Sequence, residues 1–149
     1  MAEEARILIV DDDESIRRSL IMILEQKGYS VDTAENGREA VEKSNRNFYN
    51  IALIDIRLPD MEGTQLLTAM KDTLPKMVKI IVTGYPGLEN AIEAVNKGAD
   101  GYVVKPILDM NAFLNTLNEH LKKQQEARKY SEQKVTEYVE TRVRENEDT

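Results

Sequence analysis

Ile51-Ala52-Leu53-Ile54-Asp55-Ile56 is a nearly continuous apolar run with a single acid inside it. A run this short and this rich in isoleucine and leucine reads as a strand covered on both faces, which is the situation of a central strand in a parallel sheet. An acid has no reason to sit in such a strand without a partner, because burying it alone is costly. Working outward from it, four more runs appear: Ile7 to Val10, an alternating one from Ser30 to Ala34, Lys79 to Thr83, and Tyr102 to Val104. Continuous runs predict central strands, and the alternating one predicts an edge.

Helix-period segments separate the runs, the pattern of repeated strand–helix–strand units. Ile16, Leu20, Ile23 and Leu24 make one stripe that ends at Gly28, a C-terminal cap. Ala40 and Val41 face inward from a second helix, and Leu66, Leu67 and Met70 mark a third after Gly63. Leu88, Ala91, Ile92 and Val95 give a fourth that stops at Gly98, and Phe113, Leu114, Leu117 and Leu121 a fifth. The expected fold is α/β: a flavodoxin-like, doubly wound parallel sheet of five strands with five helices, the last one extended. The strand order 2-1-3-4-5 is assumed from sheets of this class.

Composition narrows the chemistry. The chain has 149 residues, no cysteine and one histidine, His120, so thiolate and multi-histidine metal sites are excluded and a metal would need oxygen ligands. A net charge of −7 argues against nonspecific binding to nucleic acid or to an anionic membrane, and no apolar run is long enough to span a bilayer. The acidic start, Met1-Ala2-Glu3-Glu4-Ala5-Arg6, does not have the layout of a secretion signal, and the protein is expected to be cytoplasmic. From Lys122 onward seven basic residues balance seven acidic ones, so the whole charge excess lies in residues 1–121. That split predicts a domain at 1–121 and a charged helical tail or linker at 122–149. In the tail, Val135, Tyr138, Val139 and Val143 recur at helical spacing, a marginal amphipathic stretch that reads as a fraying tail rather than a coiled coil.

In open parallel sheets ligands bind at the C-terminal strand ends, beside the point where strand order reverses. Here those ends carry Asp11-Asp12-Asp13-Glu14, Asp55, Thr83 and Lys105-Pro106. The assumed order sets Asp11 or Asp12 next to Asp55, with Thr83 and Lys105 flanking. Carboxylates this close repel by about 3 kcal/mol per pair at about 5 Å and an effective dielectric near 20, so the site calls for a cation. Open oxygen ligation suits Mg2+ with waters and a phosphate. Asp55 is the candidate nucleophile for an acyl phosphate, Asp11 and Asp12 the metal ligands, and Thr83 and Lys105 the groups that meet phosphoryl oxygens. Asp13 or Glu14 is expected only to cap the first helix.

In combination, Ile7-Leu8-Ile9-Val10-Asp11-Asp12-Asp13, Asp55-Ile56-Arg57-Leu58-Pro59-Asp60-Met61-Glu62-Gly63, Ile80-Ile81-Val82-Thr83-Gly84 and Gly101-Tyr102-Val103-Val104-Lys105-Pro106 resemble the receiver domain of two-component response regulators, over Arg6 to about Leu121. The resemblance implies a switch that takes a phosphoryl group onto Asp55 from a sensor histidine kinase or phosphotransfer protein. It also implies Mg2+ held by Asp11, Asp12, Asp55 and the backbone carbonyl of Arg57. Thr83 would shift toward the phosphoryl group, Tyr102 would turn inward, and Lys105–Pro106 would be a cis peptide. Arg57 and Tyr85 fall at the positions that tune phosphoryl lifetime. The surface of the fourth helix, fifth strand and fifth helix, Leu88 to Leu121, would read out the state, with a phosphorylation-dependent homodimer as one form of output. Such a domain catalyses its own phosphorylation and dephosphorylation and has no external substrate.

Two other readings compete. Asp11-Asp12-Asp13-Glu14-Ser15 also resembles the start of haloacid dehalogenase-like Mg2+-dependent phosphatases, but that family needs an acidic pair after the lysine and leaves Asp55 unexplained. A receiver-like binding module without the chemistry is disfavoured because no residue of the constellation is missing. His120 lacks the following proline of a kinase phosphoacceptor motif and reads as an exposed helix residue. No helix-turn-helix, ATPase or cyclase segment follows, so the output belongs to another protein or to a longer chain.

Overall fold

In the computed structural model, which describes residues 4–147, five parallel strands alternate with five helices. The expectations for Met1–Glu3 and for the last two residues of the tail lie outside the described residues. The elements are β1 (Arg6–Val10), α1 (Glu14–Gln26), β2 (Ser30–Ala34), α2 (Gly37–Arg46), β3 (Ile51–Ile54), α3 (Gly63–Ala69), β4 (Val78–Thr83), α4 (Leu88–Asn96), β5 (Gly101–Val104) and α5 (Met110–Glu147). The sheet order is β2-β1-β3-β4-β5, so β1 and β3 are neighbours and the strand order reverses between them. Val10 is in register with Ile54, and Thr83 with Val104.

Because side chains alternate across a strand, each central strand feeds two cores. Leu8, Val10, Ala52, Ile54 and Ile81 pack with Ala40, Leu66, Leu67 and Ala94 on the side of α2, α3 and α4. Ile7, Ile9, Ile51, Leu53 and Ile80 pack with Leu20, Leu24, Phe113, Leu117 and Leu121 on the side of α1 and α5. Gly28 and Gly98 take φ of 90° and 97°, the left-handed geometry that ends α1 and α4 without a Cβ penalty.

Three expectations need correcting. Leu88, Ile92 and Val95 do not face the core: they are 77%, 51% and 68% exposed, while Ala94 is buried and Ala91 half-buried against the body. Small residues let α4 lie close to its neighbours, and the larger apolar stripe is left on the surface. The stretch Lys122–Lys129, whose charged composition without an apolar stripe predicts a solvated continuation of the fifth helix, is not wholly solvated either. Gln124 is 7% exposed, accepts from Asn50 Nδ2 at 2.9 Å, and donates to the carbonyls of Lys76 at 2.8 Å and Asn50 at 3.1 Å. A polar residue replaces the apolar stripe there because it satisfies backbone groups at the bottom of the sheet. His120 is half-buried beside Gly101 rather than exposed, since α5 turns it toward the start of β5. Beyond Gln124, α5 continues as one helix to Glu147.

At the β2 edge, the Tyr49 hydroxyl donates to Asp32 Oδ2 at 2.6 Å, and Thr33 N–H and Lys43 Nζ reach Oδ1 at 2.9 and 3.3 Å. Burial opposes the charge of Asp32, but the Tyr49 bond, the Thr33 N–H and Lys43 outweigh it and hold its pKa below the usual 3.8. A depressed carboxylate stabilises the fold above its unfolded pKa and loses that contribution as pH falls through the folded value. Asp32→Asn is therefore expected to lower Tm at pH 7 by about 3 °C, the effect of losing about 1 kcal/mol of charge-assisted hydrogen bonding at a partly solvated site. The gap to wild type should close below pH 3.8, as followed by Tm against pH. A gap that persists unchanged into acid would count against this origin.

Candidate functional site

The acidic cluster is built by ladder hydrogen bonds that run one residue past each strand. Asp11 N–H donates to the Ala34 carbonyl at 3.1 Å, Asp55 N–H to Val10 at 2.9 Å, and Lys105 N–H to Thr83 at 2.8 Å. These bonds bring Asp11, Asp12 and Asp55 to the switch point, with one carboxylate oxygen from each within 4.8 Å of the others. Asp11 and Asp55 are buried and Asp12 is exposed, so the cluster has one solvent-facing member. Asp13 stands apart as the α1 N-cap, accepting from Ser15 N–H at 2.9 Å and Ile16 N–H at 3.3 Å. Its own N–H donates to Asp11 Oδ1 at 2.9 Å and orients that carboxylate.

Lys105 reaches in from the end of β5. Its Nζ lies 2.6 Å from Asp11 Oδ2 and 3.2 Å from Asp55 Oδ2, and the Lys105–Pro106 peptide is cis. Burial works against the ammonium, but Asp11 and then Asp55 outweigh it and raise the Lys105 pKa. Burial pushes the Asp55 carboxyl up; Lys105 opposes this and the Asp11 charge adds to it. Asp55 Oδ1 is buried and has no hydrogen-bond partner. Buried polar atoms are normally paired, so this lone oxygen is free to take a further partner.

Thr83 is fully buried, with its hydroxyl accepting from Tyr85 N–H at 3.0 Å. The Arg57 guanidinium lies over the Tyr85 ring, 4.0 Å from its centroid, and both residues are exposed. Tyr102 packs against the core on the α2–α4 side with its hydroxyl buried and unpartnered. His120, on the face of the sheet covered by α1 and α5, is not part of the metal-capable cluster.

Two contributors were missed from sequence. Gly63 presses against the chain at the acid itself: a Cβ there would collide with the Asp55 carbonyl oxygen and lie 2.9 Å from its carbon. Asp60 accepts from Gly37 N–H and Arg38 N–H, each at 2.9 Å, tying the loop after β3 to the start of α2. The available signal for Asp60 was its place after Pro59 in a turn, which names a local role and no distant partner.

Three clustered carboxylates and a largely buried lysine thus stand at the switch point of a 2-1-3-4-5 sheet, on a flavodoxin-like scaffold. Residues 7–118 match the response regulator receiver domain family, and the chain belongs to that family of two-component signalling proteins. It is 45% identical to a CheY-like response regulator receiver domain protein from Methanospirillum hungatei, with a TM-score of 0.79 over 84% of this chain and 99% of that one. It is 36% identical to the beryllofluoride-activated NtrC4 receiver domain, solved as a dimer, with a TM-score of 0.73 over 80% of this chain and 98% of that one. Among curated proteins it is 38% identical over 119 residues to the transcriptional regulatory protein ZraR of Klebsiella oxytoca, covering 80% of this chain and 27% of the relative. It is 43% identical over 101 residues to the transcriptional regulatory protein SrrA of Staphylococcus aureus, covering 67% and 41%. The chain thus spans less than half the length of these curated relatives. The phosphatase alternative finds no support in these matches. Among the described residues no helix is long and apolar enough to cross a membrane.

Proposed function

We propose that Asp55 accepts a phosphoryl group from a phosphohistidine on a sensor histidine kinase or phosphotransfer protein. The observation that carries this reading is the buried, unpartnered Oδ1 of Asp55 beside two more carboxylates and a half-buried ammonium. The Asp55 carboxylate attacks phosphorus, the N–P bond breaks, and the imidazole leaves with its electron pair, giving an acyl phosphate. Asp11, Asp12 and Asp55 fit Mg2+, a hard cation that takes oxygen ligands and keeps waters, and the Arg57 carbonyl would be the fourth protein ligand of this reading. When bound, Mg2+ supplies charge neutralisation for the incoming phosphoryl oxygens. Lys105 neutralises a further oxygen, and the Thr83 hydroxyl moves from Tyr85 N–H to donate to another, with Tyr102, whose hydroxyl is already buried on the adjacent strand, as the second switch residue.

The exposed apolar residues Leu88, Ile92, Val95, Val104 and Leu108 support the α4–β5–α5 surface as the readout face, with phosphorylation-dependent homodimerisation as its form. Sedimentation that is the same with and without phosphorylation would count against the dimer. The part of α5 beyond Leu121, to Glu147, serves as the charged helical tail or linker of the domain.

The test is intact mass after incubation with a small-molecule phosphodonor, with and without Mg2+, on wild type and Asp55→Ala. The expected result is a Mg2+-dependent gain of one phosphoryl group that the variant lacks. No gain under any condition would instead indicate a receiver-like binding module.

The stack of Arg57 on Tyr85 covers the mouth of the site and hinders water from reaching the acyl phosphate. Arg57→Asn combined with Tyr85→Glu should shorten the phosphoryl lifetime about tenfold, equivalent to about 1.4 kcal/mol off the hydrolysis barrier. Following the decay of the phosphorylated mass with time reads this directly, and an unchanged decay would remove the shielding role.

A further inference from the structure

Between Asp55 and α3 the chain makes a tight loop whose hydrogen bonds expose one carbonyl. Leu58 N–H donates to the Met61 carbonyl at 3.2 Å, and Gly63 N–H donates to the Ile56 carbonyl, so that Arg57 and Glu62 form an isolated antiparallel bridge. In a bridge of this kind the two bonds flank the pair and the paired residues turn their own N–H and C=O groups outward. Glu62 behaves accordingly, its N–H taking Gln65 Oε1 at 3.2 Å outside the bridge. Arg57 is the other member, and its carbonyl is therefore left out of the loop's own bonding.

A six-residue loop on the surface would drift by itself. This one is held at its tip: both oxygens of Asp60 are occupied, Oδ1 by Gly37 N–H and Oδ2 by Arg38 N–H, each at 2.9 Å. Those N–H groups belong to the first turn of α2 and have no partner within the helix. The Asn36 side chain already serves Glu39 N–H, so Asp60 completes the cap from another part of the chain. Met61 adds contact, its side chain lying against the Cα of Gly37. Asp60 itself touches none of Asp11, Asp12 or Asp55; its bonds all go to backbone.

We propose that Asp60 is a positioning residue, which clamps the loop 57–62 to the N-terminus of α2 and so fixes the Arg57 carbonyl where it serves as a cation ligand. This rests on the reading of Asp11, Asp12, Asp55 and the Arg57 carbonyl as the Mg2+ site. Groups that orient ligands from outside the coordination sphere commonly change metal affinity by 10- to 100-fold when removed, and a single backbone ligand belongs at the lower end.

The experiment is calorimetric titration of MgCl2 into the full chain, for wild type, Asp60→Ala, Asp60→Asn, Asp55→Asn and Gln124→Ala, with circular dichroism and Tm recorded for each. Asp60→Ala should weaken Mg2+ about tenfold. Asp60→Asn keeps one acceptor oxygen for the α2 N–H groups and should recover most of the loss. Gln124→Ala breaks a hydrogen-bonded cluster at the far end of the sheet, and should lower Tm while leaving Mg2+ affinity at the wild-type value. Equal affinity in wild type and Asp60→Ala, whatever the Tm, would overturn the clamp. So would equal weakening by Ala and Asn, which would assign the effect to charge alone. If wild type binds no Mg2+ that Asp55→Asn abolishes, the metal reading itself fails, an outcome separate from either of these. Should Asp60→Ala not fold, the comparison of Asp60→Asn with wild type at low and high salt decides: a loss that vanishes with screening is charge, and one that persists is the clamp.

Discussion

Replacing Lys105 by Met should pull two properties of the site in opposite directions: Mg2+ binds more tightly and phosphoryl transfer becomes slower. The ammonium lies 2.6 Å from Asp11 and 3.2 Å from Asp55, with all three side chains largely buried. It neutralises charge that a divalent cation would otherwise neutralise, and its own charge repels that cation. Removing it should tighten Mg2+ about tenfold, a change of about 1.4 kcal/mol. The same substitution removes the donor proposed for a phosphoryl oxygen, and losing one preorganised donor of this kind typically costs about 10²- to 10³-fold in rate. Without Mg2+ the variant leaves two buried carboxylates facing each other, and breaking a buried pair in this way costs about 3–5 kcal/mol, on the order of 10 °C in Tm for a chain of this length. Added Mg2+ should restore much of that loss. Titration calorimetry, phosphorylation rate with a small phosphodonor, and Tm with and without Mg2+ measure the three effects. Weaker Mg2+ binding in the variant would contradict the electrostatic account.

Gly63→Ala is the second change with a large expected effect, and it acts through backbone contact rather than charge. The α3 N-terminus passes so close to β3 that a Cβ at position 63 would collide with the Asp55 carbonyl oxygen and lie 3.0 Å from the Ile56 Cα. Both neighbours are backbone, so no rotamer change relieves the contact. Either α3 moves away from the sheet, opening the core around Leu66 and Leu67, or the peptide after Asp55 shifts and takes the carboxylate with it. Overpacking of this kind costs about 3 kcal/mol or more, again on the order of 10 °C. Phosphoryl acceptance should fall with it, because the displaced atoms belong to Asp55, the residue proposed as the phosphoacceptor. A variant with wild-type Tm and wild-type phosphorylation would show that the loop yields more easily than its hydrogen bonds suggest.

Much of this architecture was legible in the linear pattern. The continuous run at Ile51–Ile56 identified the central strand and its anomalous acid, and the strand-end residues Asp11, Asp12 and Lys105 come together with Asp55 as the strand order implies. Such features are local: strand burial follows from apolar continuity, and in a parallel sheet every strand presents its C-terminal end on the same edge. The reading of α4 failed for an equally physical reason. Periodicity finds an apolar face but not what that face meets, and a helix whose alanines contact the body while Leu88, Ile92 and Val95 point outward has the same periodicity as one turned the other way. Gln124 escaped notice because glutamine on a charged helix gives no sign that Asn50 and the Lys76 carbonyl lie opposite it.

By itself, then, the sequence determined the fold class, the central strand that leads into the acid and which polar residues end the strands, since all of these follow from local runs and from the common direction of the strands. The tertiary structure alone decided that Lys105 bridges Asp11 and Asp55, that one oxygen of Asp55 is left without a partner, that Arg57 stacks on Tyr85, and that Asp60 holds the loop to α2. These contacts join residues far apart in the chain, and their distances and directions are set by how helices and loops pack on the sheet, which no local spacing encodes.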